Sequence, residues 1–392
     1  MDVTRTVSRA RQRPTGIDRI ERAYIDHLIQ DPAPLFGLVR TKLGFLLLDK
    51  DGCAALRAHC DTPIWQSADL ISKVSRKADA ARGRTESGLR KIALDRAIPS
   101  RLTKMLKRHL PDGAVYFNVG QINFNDRIIH ALRACNAARN VIYLHDTIPL
   151  DWPDTQTQKS RLAFKRFFAR VDRHADTVLC NSQDTRSRIL DRATHLSQEN
   201  VHNLLPGLPD MRIGTAPSGS WEDRPYFVAI GTIEPRKNIG FLLDLWSDFS
   251  GPNDPHLILC GRRGWLNADV FERLDRRPPN VHELPDLDDA AMWALLQRSS
   301  GLLFPSLAEG FGYPAMEAAL LGVPLICNPL PVFKELLDDY PIYADESDCY
   351  VWRNKIEQLA QRRWEQSGEH IGSGSFSAPT WQAHFNKLFT LL

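Results

Sequence analysis

Gly301-Leu-Leu-Phe304-Pro-Ser-Leu-Ala-Glu309-Gly-Phe-Gly312-Tyr-Pro314-Ala-Met-Glu317-Ala-Ala-Leu-Leu-Gly322-Val-Pro324-Leu-Ile-Cys-Asn328 reads as a strand, a glycine-containing loop, a helix and a second strand. The run 301–305 is apolar throughout, as a strand covered on both faces should be. Pro314 suits a first helical turn, Gly322 the residue after the helix, and Pro324 the stop. The same rhythm extends outward. Apolar runs at 115–118, 141–145, 177–181, 226–231, 256–261, 281–284, 301–305 and 324–328 read as strands. Helical patterns at 126–138, 239–246, 288–298 and 314–321 lie between them. Strands and helices in alternation predict an α/β fold of parallel βαβ units, whose ligands sit at the carboxyl ends of strands.

The stretch 205–224 holds three prolines and three glycines and breaks this rhythm. It divides the chain into a domain over 1–205, a linker over 206–222, a second domain over 223–375, and a terminal helical segment over 376–392. The 392 residues fit two such domains. A charged fraction of 25% against 43% hydrophobic excludes a disordered chain. A net charge of +3 is too small for a general nucleic-acid binder, so no nucleic-acid partner is expected. The apolar run 36–48 is broken by Arg40 and Lys42 and cannot span a membrane. The Arg-rich start, 1–14, has no apolar core, so no signal peptide is expected. Seven scattered cysteines without a C-x-x-C pair read as reduced thiols of a cytoplasmic protein.

Charge is unevenly spread. Segment 73–108 carries twelve Lys/Arg against Asp79, Glu86 and Asp95, a net of +9, which leaves about −6 for the remainder. Leu89, Ile92, Ile98, Leu102, Met105 and Leu106 recur there at three- and four-residue steps. Two readings stay open: a solvated helical face, or basic amphipathic helices for an anionic membrane surface.

Candidate chemistry gathers at strand ends. On the 301–328 unit, backbone N–H groups of Gly310, Phe311 and Gly312 and the helix start suit an anionic or hydroxyl-rich ligand. Glu309 on the loop and Glu317 on the first helical turn can accept hydrogen bonds from sugar or ribose hydroxyls. The segment Gly231-Thr-Ile-Glu-Pro-Arg236-Lys237-Asn238 closes one strand and opens a helix. Its Arg236 fork and Lys237 point charge suit a diphosphate. Gly261-Arg-Arg-Gly-Trp265 also follows a strand, either bordering a nucleotide or forming a basic surface turn. Asp286–Asp289 and Asp338–Asp339 fall in helix starts or loops, so no metal site is expected.

These two segments, in this order and spacing, resemble the retaining GT-B glycosyltransferases of family 4, most closely the bacterial mannosyl/rhamnosyltransferase-like branch. Glu309 and Glu317 match the family's E-x7-E motif, and Lys237 its phosphate-contacting lysine. Thr232 stands where the family usually has an arginine, and Arg236 replaces it in the form G-T-x-E-P-R-K-N. Tyr143-Leu-His145-Asp146-Thr-Ile-Pro149 resembles the branch's H-D-x-x-P stretch, and Pro14-Thr-Gly16-Ile17 its opening glycine loop. The resemblance implies two Rossmann-like doubly wound domains facing a central cleft, with the terminal helix able to cross back. It implies transfer of a hexose, mannose from GDP-mannose first and UDP- or dTDP-sugars after it, with no metal and no organic cofactor. His145, Glu309, Lys237 and Arg236 become the catalytic set. Glu317, Gly310, Phe311, Gly312 and Gly16 bind the donor, and the 281–285 strand end holds its base. Asn118-Val-Gly120-Gln121 is an acceptor candidate. The implied acceptor is a saccharide or lipid-linked saccharide of surface polysaccharide or lipopolysaccharide, met in the cytoplasm or at the inner membrane face. A catalytically silent GT-B scaffold, or an epimerase or phosphorylase on the same scaffold, is the alternative.

Overall fold

The computed structural model describes residues 1–75, 79–136, 139–365 and 376–392. Its contacts divide the chain into two units. The first takes 1–145, 163–181 and 186–204; the second takes 146–162, 182–185 and 205–392.

In the first unit, strands β1 (Gly37–Arg40), β2 (Phe45–Leu48) and β3 (Asp95–Ala97) form an antiparallel sheet in the order β1-β2-β3. Strands β4 (Val115–Asn118), β5 (Arg139–Leu144), β6 (Thr177–Cys180) and β7 (Val201–Asn203) form a parallel sheet in chain order. The segment 1–3 lies between the two: Asp2 N–H donates to Phe117 O, and Val3 N–H to Leu38 O. Strand β5 is buried from Asn140 to Leu144, as expected for a run apolar on both faces.

In the second unit, strands β8 (Tyr226–Ile230), β9 (His256–Cys260), β10 (Val281–Glu283), β11 (Gly301–Phe304), β12 (Leu325–Cys327) and β13 (Ile342–Tyr343) form one parallel sheet. Its order is β10-β9-β8-β11-β12-β13. In the unit's own count that is 3-2-1-4-5-6, the doubly wound arrangement, whose direction reverses between β8 and β11. Ligands of such sheets bind where the order reverses, outside the carboxyl ends of those two strands. Residues 205–219 form no helix or strand and belong to this unit, where Gly207 leaves no room for a side chain against Trp381. The terminal helix Trp381–Thr390 belongs to the same unit, with His384 Nδ1 at 2.8 Å from Leu205 O. Among the described residues, no helix is long and apolar enough to cross a membrane.

Candidate active site

The second unit's switch point is built from two loops. After β8, Gly231 takes φ +142°, and a side chain there would meet the Lys237 Cε atom. Gly261, after β9, packs so tightly that a Cβ would collide with Gly231 O. The chain then makes a short turn, Pro235–Lys237, and Asn238 takes the left-handed conformation before the helix Ile239–Trp246. The second loop follows β11, and Leu307 N–H donates to Arg236 O at 2.9 Å, tying the two together.

Four charged side chains meet there. Lys237 Nζ and Arg236 Nη1 lie 2.6 and 2.7 Å from the same oxygen of Glu309. Arg236 Nη2 pairs with Glu234 at 2.6 Å, and its Nη1 also donates to Ala308 O. Lys237 Nζ stands 4.2 Å from the centre of the Phe304 ring, a cation–π contact. Burial opposes charge on Glu309, Arg236 and Lys237. For Glu309 the two cations outweigh it and hold the pKa below the ordinary value. For Arg236 burial is overcome by Glu309, Glu234 and Asp146, and the pKa rises. For Lys237 burial wins over Glu309, with Arg236 assisting, and the pKa falls. Burial raises Asp146 to about 6, with Arg236 and the Ile148 N–H opposing and the charges of Glu309 and Glu234 assisting. A buried ionic network costs desolvation that apolar side chains would avoid, so its presence argues for chemistry more than for stability.

The glycine loop continues into the helix Tyr313–Leu320. Gly310 O accepts from Ser182 Oγ at 3.0 Å, while Ser182 Oγ also accepts from Thr185 N–H, capping the helix Gln183–Arg192. Gly312 takes φ +80°, and a side chain there would strike the Phe333 ring. The Phe311 side chain is buried edge-on to Tyr313. Glu317 is buried and is the fifth residue of its helix, past the first turn expected from the sequence. The helix begins at Tyr313, one residue before Pro314, so each position moves along by one.

The first unit places the remaining candidates. His145 follows β5, and its Nε2 lies 2.7 Å from Val119 O. Burial lowers its pKa to about 3, so the ring is neutral at working pH. A carbonyl can only accept, so Nε2 carries the hydrogen and Nδ1 keeps its lone pair. Asn118 spends its amide N–H groups on Tyr116 Oη and Ile122 O, which fixes the 118–122 loop. Gly16 opens the helix Gly16–Gln30, where Thr15 N–H donates to Asp18 and Arg5 and Arg9 each pair with Asp18 at 2.7 Å. Of the apolar residues in 73–108, Leu89, Leu102, Met105 and Leu106 are core, while Ile92 and Ile98 are exposed. Arg76 and Lys77 of that segment lie outside the described residues.

Arg262 and Arg263 pair with Asp286, and with Glu283 and Asp275, forming a charged surface turn. Glu234 and Asp146 stand in the segments singled out from the sequence, which assigns them none of the contacts seen here. The signal for Glu234 and Asp146 was their place beside Arg236 and His145 at strand ends.

Residues 175–367 match the family described as glycosyl transferases group 1. This stretch is a group 1 glycosyltransferase domain. The chain is 27% identical over 285 residues to the serotype-specific mannosyltransferase WbdA of Escherichia coli, a match that takes in 62% of this chain and 34% of that protein. It therefore spans about a third of that relative's length. It is 25% identical over 228 residues to the O-antigen chain mannosyltransferase RfbU of Salmonella typhimurium, covering 56% and 60% of the two chains. Among solved structures, the Anabaena protein HepE in complex with UDP-glucose matches 96% of this chain and 97% of its own, with a TM-score of 0.58 at 13% identity. That likeness shows the fold, the α/β architecture of GT-B glycosyltransferases expected from the sequence.

Proposed function

We propose that the protein is a retaining glycosyltransferase that moves mannose from GDP-mannose to a saccharide or lipid-linked saccharide in bacterial surface polysaccharide or lipopolysaccharide assembly. One observation carries the reading: Arg236, Lys237 and Glu309 converge at the switch point of a doubly wound sheet. Diphosphates bind at such points, and two buried cations beside a carboxylate suit one. The relatives named mannosyltransferases support mannose as the sugar.

In this reading the bond between the sugar's anomeric carbon and the β-phosphate oxygen breaks, and negative charge grows on the departing diphosphate. Arg236 and Lys237 stabilise that charge from fixed positions, which requires no reorganisation as the reaction proceeds. Glu309 has two tasks: it holds both cations in place and accepts from sugar hydroxyls. Glu317 takes the ribose hydroxyls, the loop at Gly310–Gly312 approaches the sugar, and the Nδ1 lone pair of His145 takes a further hydroxyl. The acceptor oxygen bonds to the anomeric carbon on the face the leaving group departs from, and its proton passes to the departing phosphate oxygen. No metal or organic cofactor takes part.

A panel of GDP-mannose, UDP-glucose, UDP-galactose and dTDP-rhamnose tests the proposal by release of the nucleoside diphosphate. GDP-mannose should be cleaved fastest. Cleavage of another member alone corrects the donor; neither binding nor cleavage of any of them overturns the enzyme in favour of a silent scaffold. Binding is read separately as a rise in melting temperature.

A further inference from the structure

Residues 146–162 follow β5 in the chain, yet they belong to the second unit. Trp265 Nε1, on the loop after β9, donates to Thr155 O at 3.1 Å and ties that segment down. Asp146 opens the segment. Its Oδ1 accepts the Ile148 N–H at 3.1 Å, which fixes the carboxyl against the short helix Ile148–Asp151. Asp146 is half-buried. Among the described residues its Oδ2 has no hydrogen-bond partner, and its carboxyl forms no ion pair.

The charges facing Asp146 do not balance. Arg236, Lys237 and Glu234 come from the turn after β8, and Glu309 from the loop after β11. Both cations are already engaged, Lys237 on Glu309, and Arg236 on Glu309 and Glu234. Asp146 is thus a third carboxylate beside two cations. Arg236 attracts its charge, while Glu309 and Glu234 repel it. On its own segment Asp151 accepts from Thr147 Oγ1, and the preceding His145 is a neutral ring bonded to Val119 O. One negative charge is therefore in excess at the place proposed for a diphosphate.

A sugar nucleotide brings a negative charge on each phosphate, and neither phosphate of such a diester titrates near neutral pH. Added negative charge favours the uncharged form of a nearby carboxyl. Burial has already raised Asp146 to about 6, so a small further push neutralises it. We propose that Asp146 takes up a proton from solvent as the donor binds, and that its carboxyl O–H then donates to a diphosphate oxygen which the carboxylate would repel. The proton returns to solvent when the nucleoside diphosphate leaves. Asp146 is in this role a donor-binding residue and passes no proton to the reacting atoms. The inference rests on the reading that a diphosphate sits at Arg236 and Lys237.

The test is calorimetric titration of the full chain with GDP-mannose, or with whichever sugar nucleotide of the panel binds, in buffers of different ionisation heat. The wild-type chain should take up about one proton per donor near pH 7, and its Kd should rise about tenfold between pH 6.5 and 7.5. Asp146→Asn keeps an acceptor for the Ile148 N–H and offers an N–H of its own to the donor. It should take up no proton, hold its Kd within about twofold over that range, and bind more tightly than wild type at pH 8. Glu21→Gln removes the raised carboxyl of the first unit and should leave the uptake unchanged. Melting temperatures confirm that each variant folds, and the wild-type proton count needs no variant. Binding without proton uptake overturns the proposal and leaves the glycosyltransferase reading standing. So does uptake that persists in Asp146→Asn, which puts the proton on Lys237, or uptake that is lost in Glu21→Gln. Weaker binding by Asp146→Asn at every pH also overturns it, since Asp146 would then be an anion that accepts sugar hydroxyls. No binding by any sugar nucleotide overturns both readings.

Discussion

Both units bury titratable side chains, and burial has one outcome at Arg236 and Glu309 of the second and the opposite outcome at His145 and Glu21 of the first. In the second unit Arg236 pairs with Glu234 at 2.6 Å and with Glu309 at 2.7 Å, Lys237 pairs with Glu309 at 2.6 Å, and attraction keeps Glu309 and Arg236 charged against desolvation. In the first unit, burial holds His145 neutral with a pKa of about 3 and raises Glu21 to about 8, where Thr6 and Arg5 pull the other way with less effect. Glu21 lies under Gly120, whose added Cβ would come within 2.9 Å of its Oε1. At Arg236 and Glu309 attraction overcomes burial; at His145 and Glu21 burial overcomes attraction.

The contrast breaks most visibly at Glu309. Glu309→Gln leaves two buried cations without their shared counter-charge and should cost about 3–5 kcal/mol of stability. Urea unfolding measures this; a loss under 1 kcal/mol would mean that the cations are solvated and the network is incidental. Glu21→Gln should act in the opposite direction. The folded pKa of Glu21 is raised, so its contribution is fully present below about 4.5 and is lost as pH rises through about 8. At neutral pH, wild type therefore carries a penalty of up to about 3 kcal/mol, which the isosteric amide removes. The variant should be more stable than wild type at pH 7 and indistinguishable from it at pH 4; a variant destabilised at both would show that Glu21 is held as an anion. The smallest effect sharpens the comparison from outside. Arg262 and Asp286 pair at 2.6 Å with both side chains more than 60% exposed, and Arg262→Ala should cost about 0.2–1 kcal/mol. A loss as large as that of Glu309→Gln would show that proximity, not burial, sets the energetics.

Much of this was legible in the sequence. Strands β8, β9 and β11 are runs that are apolar apart from His256 and stop at Gly231, Gly261 and Pro305, and the structure ends each within a residue or so of the expected boundary. Arg236, Lys237 and Glu309 were legible because each follows such a strand. Strands β1–β3 were not, because their hairpin turns through Thr41-Lys-Leu-Gly44 without an Asn-Gly or Asp-Gly signal, and β3 is the short, polar Asp95–Ala97. Strands β7 and β13 have three and two residues, too few for a periodicity to register. The ion pairing within the site was hidden for another reason. Glu234 and Arg236 stand two residues apart, and nothing in their spacing says that a left-handed Asn238 and a bare Gly231 fold that turn over Glu309. In 73–108 the three- and four-residue spacing was real, but at Leu89, Leu102, Met105 and Leu106 it marked the unit's core, not a free face.

The central claim is that Lys237 and its partners stabilise a departing diphosphate. The most direct measurement is kcat for release of GDP from GDP-mannose by wild type and by Lys237→Ala at saturating donor, with melting temperatures recorded for both. A fall of roughly 10²–10³ in a folded variant is the expected result. Wild-type turnover in Lys237→Ala would contradict it.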